Sequence, residues 1–226
     1  MSTVTQTQPA LPILSGGLVP YRLSVDQYEA MIRAGVFTKR DRLELIEGLL
    51  VAKMTKGTMH STASEKCRRT IERIIPPIWH VRAEKPVRVP GRASEPEPDL
   101  SVARGDIDAY KLRNPDAGEV PLVVEIAESS IVADRTEMAR IYGGGGISLY
   151  WILNLVDGQI EEYSDPDPAG GYRTRTDYHP GQSISVTLEG LDLGKVAVAH
   201  LLPRERKGDI TNIDRMRGEG ASRTCT

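Results

Sequence analysis

The sequence predicts an α/β fold: one domain built on a mixed β-sheet flanked by helices. Three observations predict it. Segments of helical and strand-like pattern follow one another as helix, strands, helix, strands, which is the order of a layered α/β domain. The stretch "EVPLVVEIAESS" carries Val120, Leu122, Val123 and Val124 as a strand buried on both faces. The chain has 226 residues, 39% of them hydrophobic, enough for one sizeable core.

The elements follow in order. Residues 1–19 are polar and proline-containing and read as a loose arm. "LSVDQYEAMIRAG" is a short helix, with Ser24 as N-cap, Gln27 completing a capping box and Gly35 as the stop. "RLELIEGLLVAKMT" is a strand pair turning at Glu47-Gly48, with Leu43, Leu45, Leu49 and Val51 at period two. "GTMHSTASEKCRRTIERII" is the clearest helix. Ala63, Cys67, Ile71 and Ile74 share its core face, and Lys66, Arg69 and Arg73 form a basic ridge on another. Pro76-Pro77 ends it.

"EKPVRVPG" and "PDLSVAR" read as strands, "GDIDAYKLRNPDAG" as a loop and "VPLVVEIAE" as the central strand. "SSIVADRTEMARIY" is a helix broken by Gly143 to Gly146, which supply either a flexible loop or a slack connection. "ISLYWILNL" is a buried strand in which Tyr150 and Trp151 are packing residues. Asp157-Gly158 is a two-residue turn signal joining it to "DGQIEEYSD" as a hairpin. "GYRTRTDY" and "SISVTL" extend the antiparallel part, so the domain runs from residue 20 to 203. Residues 204–226 are polar and read as a disordered tail whose removal leaves the fold intact.

The bulk chemistry narrows the function. A formal net charge of −2 argues against a general nucleic-acid coat, so any contact with DNA needs a local patch. The best such patch is Lys66, Arg69 and Arg73, although a charge run on a helix is usually a solvated face. Two cysteines cannot form a disulfide framework, which fits a reduced, cytoplasmic setting. No run reaches the length of a membrane span, and the first residues lack the basic start of a signal peptide.

The chemistry concentrates on two acids. Asp99 opens a strand directly after Pro98, and Glu125 sits near the end of the next one. Side by side at one sheet edge, two carboxylates repel each other unless a cation neutralises them. Hard divalent cations such as Mg²⁺ prefer such oxygen ligands. The plain alternative is a turn aspartate after proline and a solvated glutamate at a strand end.

The order of "LELIEGLLVAKM", "GTMH", "SEPEPDLSVARG", "LVVEIAESS" and "DRTEMARIYGGGGISLYWILNLVDGQIEEY" resembles the PD-(D/E)xK nuclease superfamily, and within it the Uma-two family of bacterial endonucleases. The resemblance runs from Leu23 to Leu202. It implies a restriction-endonuclease-like sheet, a homodimer, and DNA as substrate, with Asp99 and Glu125 holding Mg²⁺ or Mn²⁺ for hydrolysis of a phosphodiester. Glu44 matches an acidic position that adds a ligand or binds metal-bound water; otherwise it is an exposed strand glutamate. His60 matches a histidine that shuttles a proton or touches phosphate; otherwise it is a polar residue at a helix start.

The sequence departs from this pattern at its third position. The superfamily lysine two residues after the glutamate is Ala127 here, and the Uma-two position in "DRxxK" is Met138. A thioether neither donates a hydrogen bond nor offsets phosphate charge. Arg135, on the same helical face, is the substitute cation, or else pairs on the surface with Glu128 or Glu137. A catalytically silent fold that binds DNA or protein is the rival reading.

Overall fold

The computed structural model describes residues 19–38 and 40–204. The segments expected to be a loose N-terminal arm and a dispensable C-terminal tail lie almost entirely outside the described residues.

Helix α1, Val25–Arg33, starts as its sequence dictates. Ser24 Oγ accepts from the Gln27 amide at 3.2 Å, and Gln27 Oε1 accepts from the Ser24 amide at 2.9 Å. β1, Leu43–Ile46, and β2, Leu49–Ala52, form a hairpin closed by Glu47-Gly48. Both turn residues have positive φ, +48° and +79°, the geometry a two-residue hairpin favours. Helix α2, Thr58–Glu72, buries His60, Ala63, Cys67 and Ile71.

The main sheet has six strands in the order β3-β4-β5-β6-β7-β8. These are Trp79–Ala83, Leu100–Arg104, Leu122–Ala127, Leu149–Asn154, Gln159–Pro166 and Tyr172–Tyr178. Only the β5–β6 pair is parallel; the other pairs are antiparallel, so the sheet is mixed. The strand period of two divides β5 between two cores. Leu122, Val124 and Ile126 pack with α2 residues Ala63, Cys67 and Ile71. Val123 and Ala127 pack on the other side with Ala139, Ile141, Tyr142 and Tyr150.

The second layer on the α2 side is completed by β9, Ser183–Leu188, and β10, Leu191–Ala197, followed by helix α5, Val198–Leu201. "SISVTL" forms an antiparallel strand as expected, but outside the main sheet. β9 pairs with β10 in a separate two-stranded sheet, and its alternate residues Ile184, Val186 and Leu188 face the core.

"EKPVRVPG" is also not a regular strand. Pro86 and Pro90 offer no amide hydrogen for a ladder, and the segment makes only isolated bridges, Arg88 to Asp116 and Val89 to Ser94. The edge strand is instead β3, "WHVRA", whose Trp79 pairs with Arg104. The hairpin of β6 and β7 forms as expected but with a longer loop. Asn154 pairs with Gln159, leaving 155–158 as the turn.

On the face opposite α2 the chain continues from β5 into α3, Ile131–Ala133, a π-helical turn Asp134–Met138, and α4, Ala139–Gly144. The glycines do not make the flexible loop or slack connection that the sequence suggests. Gly143 and Gly144 are still helical, and the chain packs against them. A Cβ on Gly143 would lie 1.9 Å from the Gly171 carbonyl oxygen, and one on Gly144 2.1 Å from the Arg92 guanidinium. Their small size lets the helix seat on β7–β8 and on the buried Arg92.

Candidate active site

The register of β4 on β5 builds the site. Leu100 pairs with Val124, so one step further the two acids meet. The Asp99 amide donates to Glu125 Oε2 at 3.2 Å, and the Ile126 amide donates to Asp99 Oδ2 at 2.8 Å. Asp99 and Glu125 therefore lie side by side at one end of the sheet, as their sequence positions suggest.

Asp99 is nearly fully buried and ringed by donors. His60 Nε2 lies 2.9 Å from Oδ2, and Lys56 Nζ donates to Oδ1 at 2.6 Å. Burial alone would push this carboxyl up, but His60 and Lys56 outweigh it and hold it below the usual range. An ionised carboxylate only accepts, so His60 donates to it through Nε2. The other ring nitrogen, Nδ1, is buried without a protein hydrogen-bond partner. His60 is thus buried in the site at the start of α2.

Glu125 has the opposite balance. Its strand parity aims it at the α3–α4 layer, where Tyr142 donates to Oε1 at 2.7 Å. Burial, then the charges of Asp99 and Asp134, raise it well above the ordinary glutamate value. Asp134 is buried too and is raised to about 6, first by burial and then partly by Asp99 and Glu44. Ser130 donates to its Oδ2 at 2.6 Å. Glu44 is largely withdrawn from water rather than an exposed strand residue. Burial raises its carboxyl, while the Glu97 amide donates to Oε2 at 3.1 Å.

Asp99 therefore acts on Glu125 and Asp134, Asp134 acts on Glu125, and Glu44 reaches Asp134, so four carboxylates gather at one end of the sheet. Hard oxygen donors crowded out of water suit a divalent cation by their chemistry. In this arrangement Asp99 Oδ1 is already held by the Lys56 ammonium. Among the described residues no three Asp, Glu, His or Cys side chains stand as a ready cage for a metal.

The structure gives Arg135 a partner that its sequence neighbours do not suggest. Its guanidinium grips Glu161 on β7, with Nε 3.0 Å from Oε2, and reaches Asp157 at 3.6 Å. It pairs with neither Glu128 nor Glu137, and no contact joins it to Asp99 or Glu125. Met138 packs against the core that contains Val123 and Ala127, on the Glu125 side of β5. It falls midway between Asp134 and Tyr142, four residues from each, on the helical stripe that serves the site. The π-turn widens the helix here, a distortion common at functional sites.

Sequence reasoning missed three residues around these acids: Lys56, Asp134 and Tyr142. Asp134 and Tyr142 carried a signal, because they flank Met138 at helical spacing. Lys56 carried none, since its loop precedes the helix and nothing local ties it to Asp99.

The basic ridge of α2 lines a groove of about 1150 Å³ together with Lys195, His200 and Arg204. Thr58 and Met59, beside His60, line the same groove. Part of the ridge's charge is already engaged. Lys66 donates to the Ala199 and Leu202 carbonyls, and Arg69 donates to Glu65 at 2.6 Å.

The mixed sheet between helices is an architecture shared with a nuclease-like solved structure. That structure is described as "a putative nuclease belonging to DUF820" from Anabaena variabilis. The two share 15% identity with a TM-score of 0.57, over 79% of this chain and 97% of that one. At that identity the likeness shows the fold. The Uma2 family model, described as "Putative restriction endonuclease", matches residues 25–199. The chain belongs to the Uma2 family. No curated protein matches it. Among the described residues no helix is long and apolar enough to cross a membrane.

Proposed function

We propose that the chain is a divalent-cation-dependent endonuclease that hydrolyses DNA phosphodiester bonds at the Asp99–Glu125 site. The observation that carries this reading is the meeting of these two acids on adjacent strands, within a chain of the Uma2 family. Asp99 and Glu125 would hold Mg²⁺ or Mn²⁺, with Glu44 and Asp134 adding negative charge around them. The bound cation supplies Lewis-acid stabilisation and a more acidic water.

The remaining work falls to the chain. Asp99 orients His60 through Nε2, and in its neutral form His60 would take the attacking water's proton at Nδ1, which has no protein partner. Tyr142 and the Asp99 amide fix both oxygens of Glu125. In the reaction a water oxygen bonds to phosphorus, one ester P–O bond breaks, and the departing alkoxide takes up a proton. The groove along Lys66, Arg69 and Arg73 suits the duplex backbone, because it begins next to His60.

A second reading, a silent fold that binds DNA or protein, is favoured by Met138 at the expected lysine position. One experiment separates the two. Supercoiled and single-stranded DNA are incubated with the protein and Mg²⁺ or Mn²⁺, beside Asp99→Ala. The nuclease reading expects cation-dependent cleavage that falls at least about 10²-fold in the variant. No cleavage, together with no thermal shift on adding either cation, favours the binding module.

A further inference from the structure

We propose that Lys56 is the phosphate-contacting cation of this site, filling the role that the family pattern gives to the position of Met138. The inference deepens the nuclease reading above and rests on it.

Four observations carry it. Lys56 Nζ lies 2.6 Å from Asp99 Oδ1 and 2.8 Å from Glu84 Oε1, so its ammonium is held at the reacting end of the sheet. An ammonium has three donors; two are taken, and one remains for a phosphate oxygen without loss of the Asp99 contact. The side chain keeps 34% of its surface in water, so a substrate can reach it, whereas Asp99 keeps 6%. Finally, its loop is closely packed. Gly57 follows it, and a Cβ there would lie 2.8 Å from Glu128 Oε2, just beyond the end of β5.

The other cations nearby are committed elsewhere. Lys53 pairs with Glu97, Arg135 with Glu161 and Arg140 with Glu47. Met138 offers no charge at all. A lysine from the loop before α2 therefore supplies what the helix after β5 lacks. A flexible four-carbon stem tolerates this change of origin, because the charge need only arrive at the same point in space.

The test compares wild type, Lys56→Met and Lys56→Arg. Cleavage is measured in Mg²⁺. Binding to a DNA duplex is measured by fluorescence anisotropy in Ca²⁺ over a range of salt. Cation affinity is measured by thermal shift. Loss of one phosphate contact should flatten the slope of log affinity against log salt by about 0.9 in Lys56→Met. Cleavage should fall about 10²-fold, with the Mg²⁺ midpoint no weaker than in wild type. Lys56→Arg should keep the wild-type slope. If Lys56→Met does not fold, Lys56→Gln, which keeps a polar donor without the charge, carries the same comparison.

A wild-type slope in Lys56→Met overturns the proposal. So does full-rate cleavage with tighter Mg²⁺ binding, which would make Lys56 a competitor for the cation. If wild type binds duplex without cutting it, the nuclease reading fails and the slope alone decides Lys56. Absence of DNA binding by wild type overturns both.

Discussion

Glu161 and Glu125 are both strand glutamates in the main sheet, yet their surroundings differ in kind. Glu161, fully buried on β7, accepts from Arg135, Asn154 at 2.9 Å and Tyr163 at 3.0 Å, and pairs with Arg175 at 3.3 Å. Burial alone would raise it, but these partners draw it down to about 2. Glu125 meets a tyrosine, one amide and two further carboxylates, and is driven up. The first carboxylate is neutralised by its own fold, and the second is not. A buried acid with a full set of cations holds structure together. A group of buried acids short of cations has a reason to bind one. Arg135 illustrates the rule: it stands one residue from Asp134, yet its charge completes the Glu161 network.

The comparison breaks most visibly at Asp99. Asp99→Ala should cost at least about 10²-fold in cleavage, while Glu161→Ala should leave the rate per folded molecule nearly intact. A purified Glu161→Ala protein that folds and loses cleavage to the same degree would place Glu161 in the reaction and erase the distinction.

Stability should show the reverse order. Glu161→Ala removes the shared partner of Arg135 and Arg175, leaving them Asp157 at 3.6 Å and Asp177 at 2.7 Å, and should destabilise the fold by about 2 kcal/mol. This is less than a fully buried pair would cost, because Arg135 and Arg175 keep 34% and 37% of their side-chain surface in water. The melting temperature should drop by roughly 4–8 °C. Denaturation by heat, followed by circular dichroism, measures it; an unchanged midpoint would mean the network adds nothing.

The smallest effect is in the pH profile, and its sign differs between the two centres. Glu161 is lowered from 4.5 to about 2, so the unfolded chain binds more protons in that window. Its stabilisation is complete above 4.5 and is lost as pH falls toward 2. Asp134 is raised from 3.8 to about 6, so the folded chain binds more protons there. Its contribution declines as pH rises from 3.8 to 6, then stays flat. Melting temperatures across pH 3–8, without added cations, should therefore lose their acid-limb dependence in part in Glu161→Gln. They should lose part of the decline toward pH 6 in Asp134→Asn. Identical profiles for Asp134→Asn and wild type would show that Asp134 is not strained by its neighbours.

Much of this molecule was written locally. The capping box of α1, the Glu47-Gly48 hairpin, the apolar face of α2 and the double-sided burial of β5 follow from spacing, because hydrogen bonding and periodicity act within a few residues. The pairing of Asp99 with Glu125 was legible for a related reason: two consecutive strands joined by one loop bring their ends together. What lay beyond reach was set by contacts distant in sequence. Pro86 and Pro90 denied "EKPVRVPG" a ladder, but the edge place passed to β3 only because its residues meet β4. Gly143 and Gly144 look like slack until Gly171 and Arg92 pack against them. The cations are the clearest case. Local spacing offered Arg135 either the acid site or a pair with Glu128 or Glu137, whereas tertiary packing gave it to Glu161, 26 residues away. Lys56 reached Asp99 across 43 residues. Charge acts through space, so the sequence determined which acids and cations the chain owns, and the folded structure decided which of them meet.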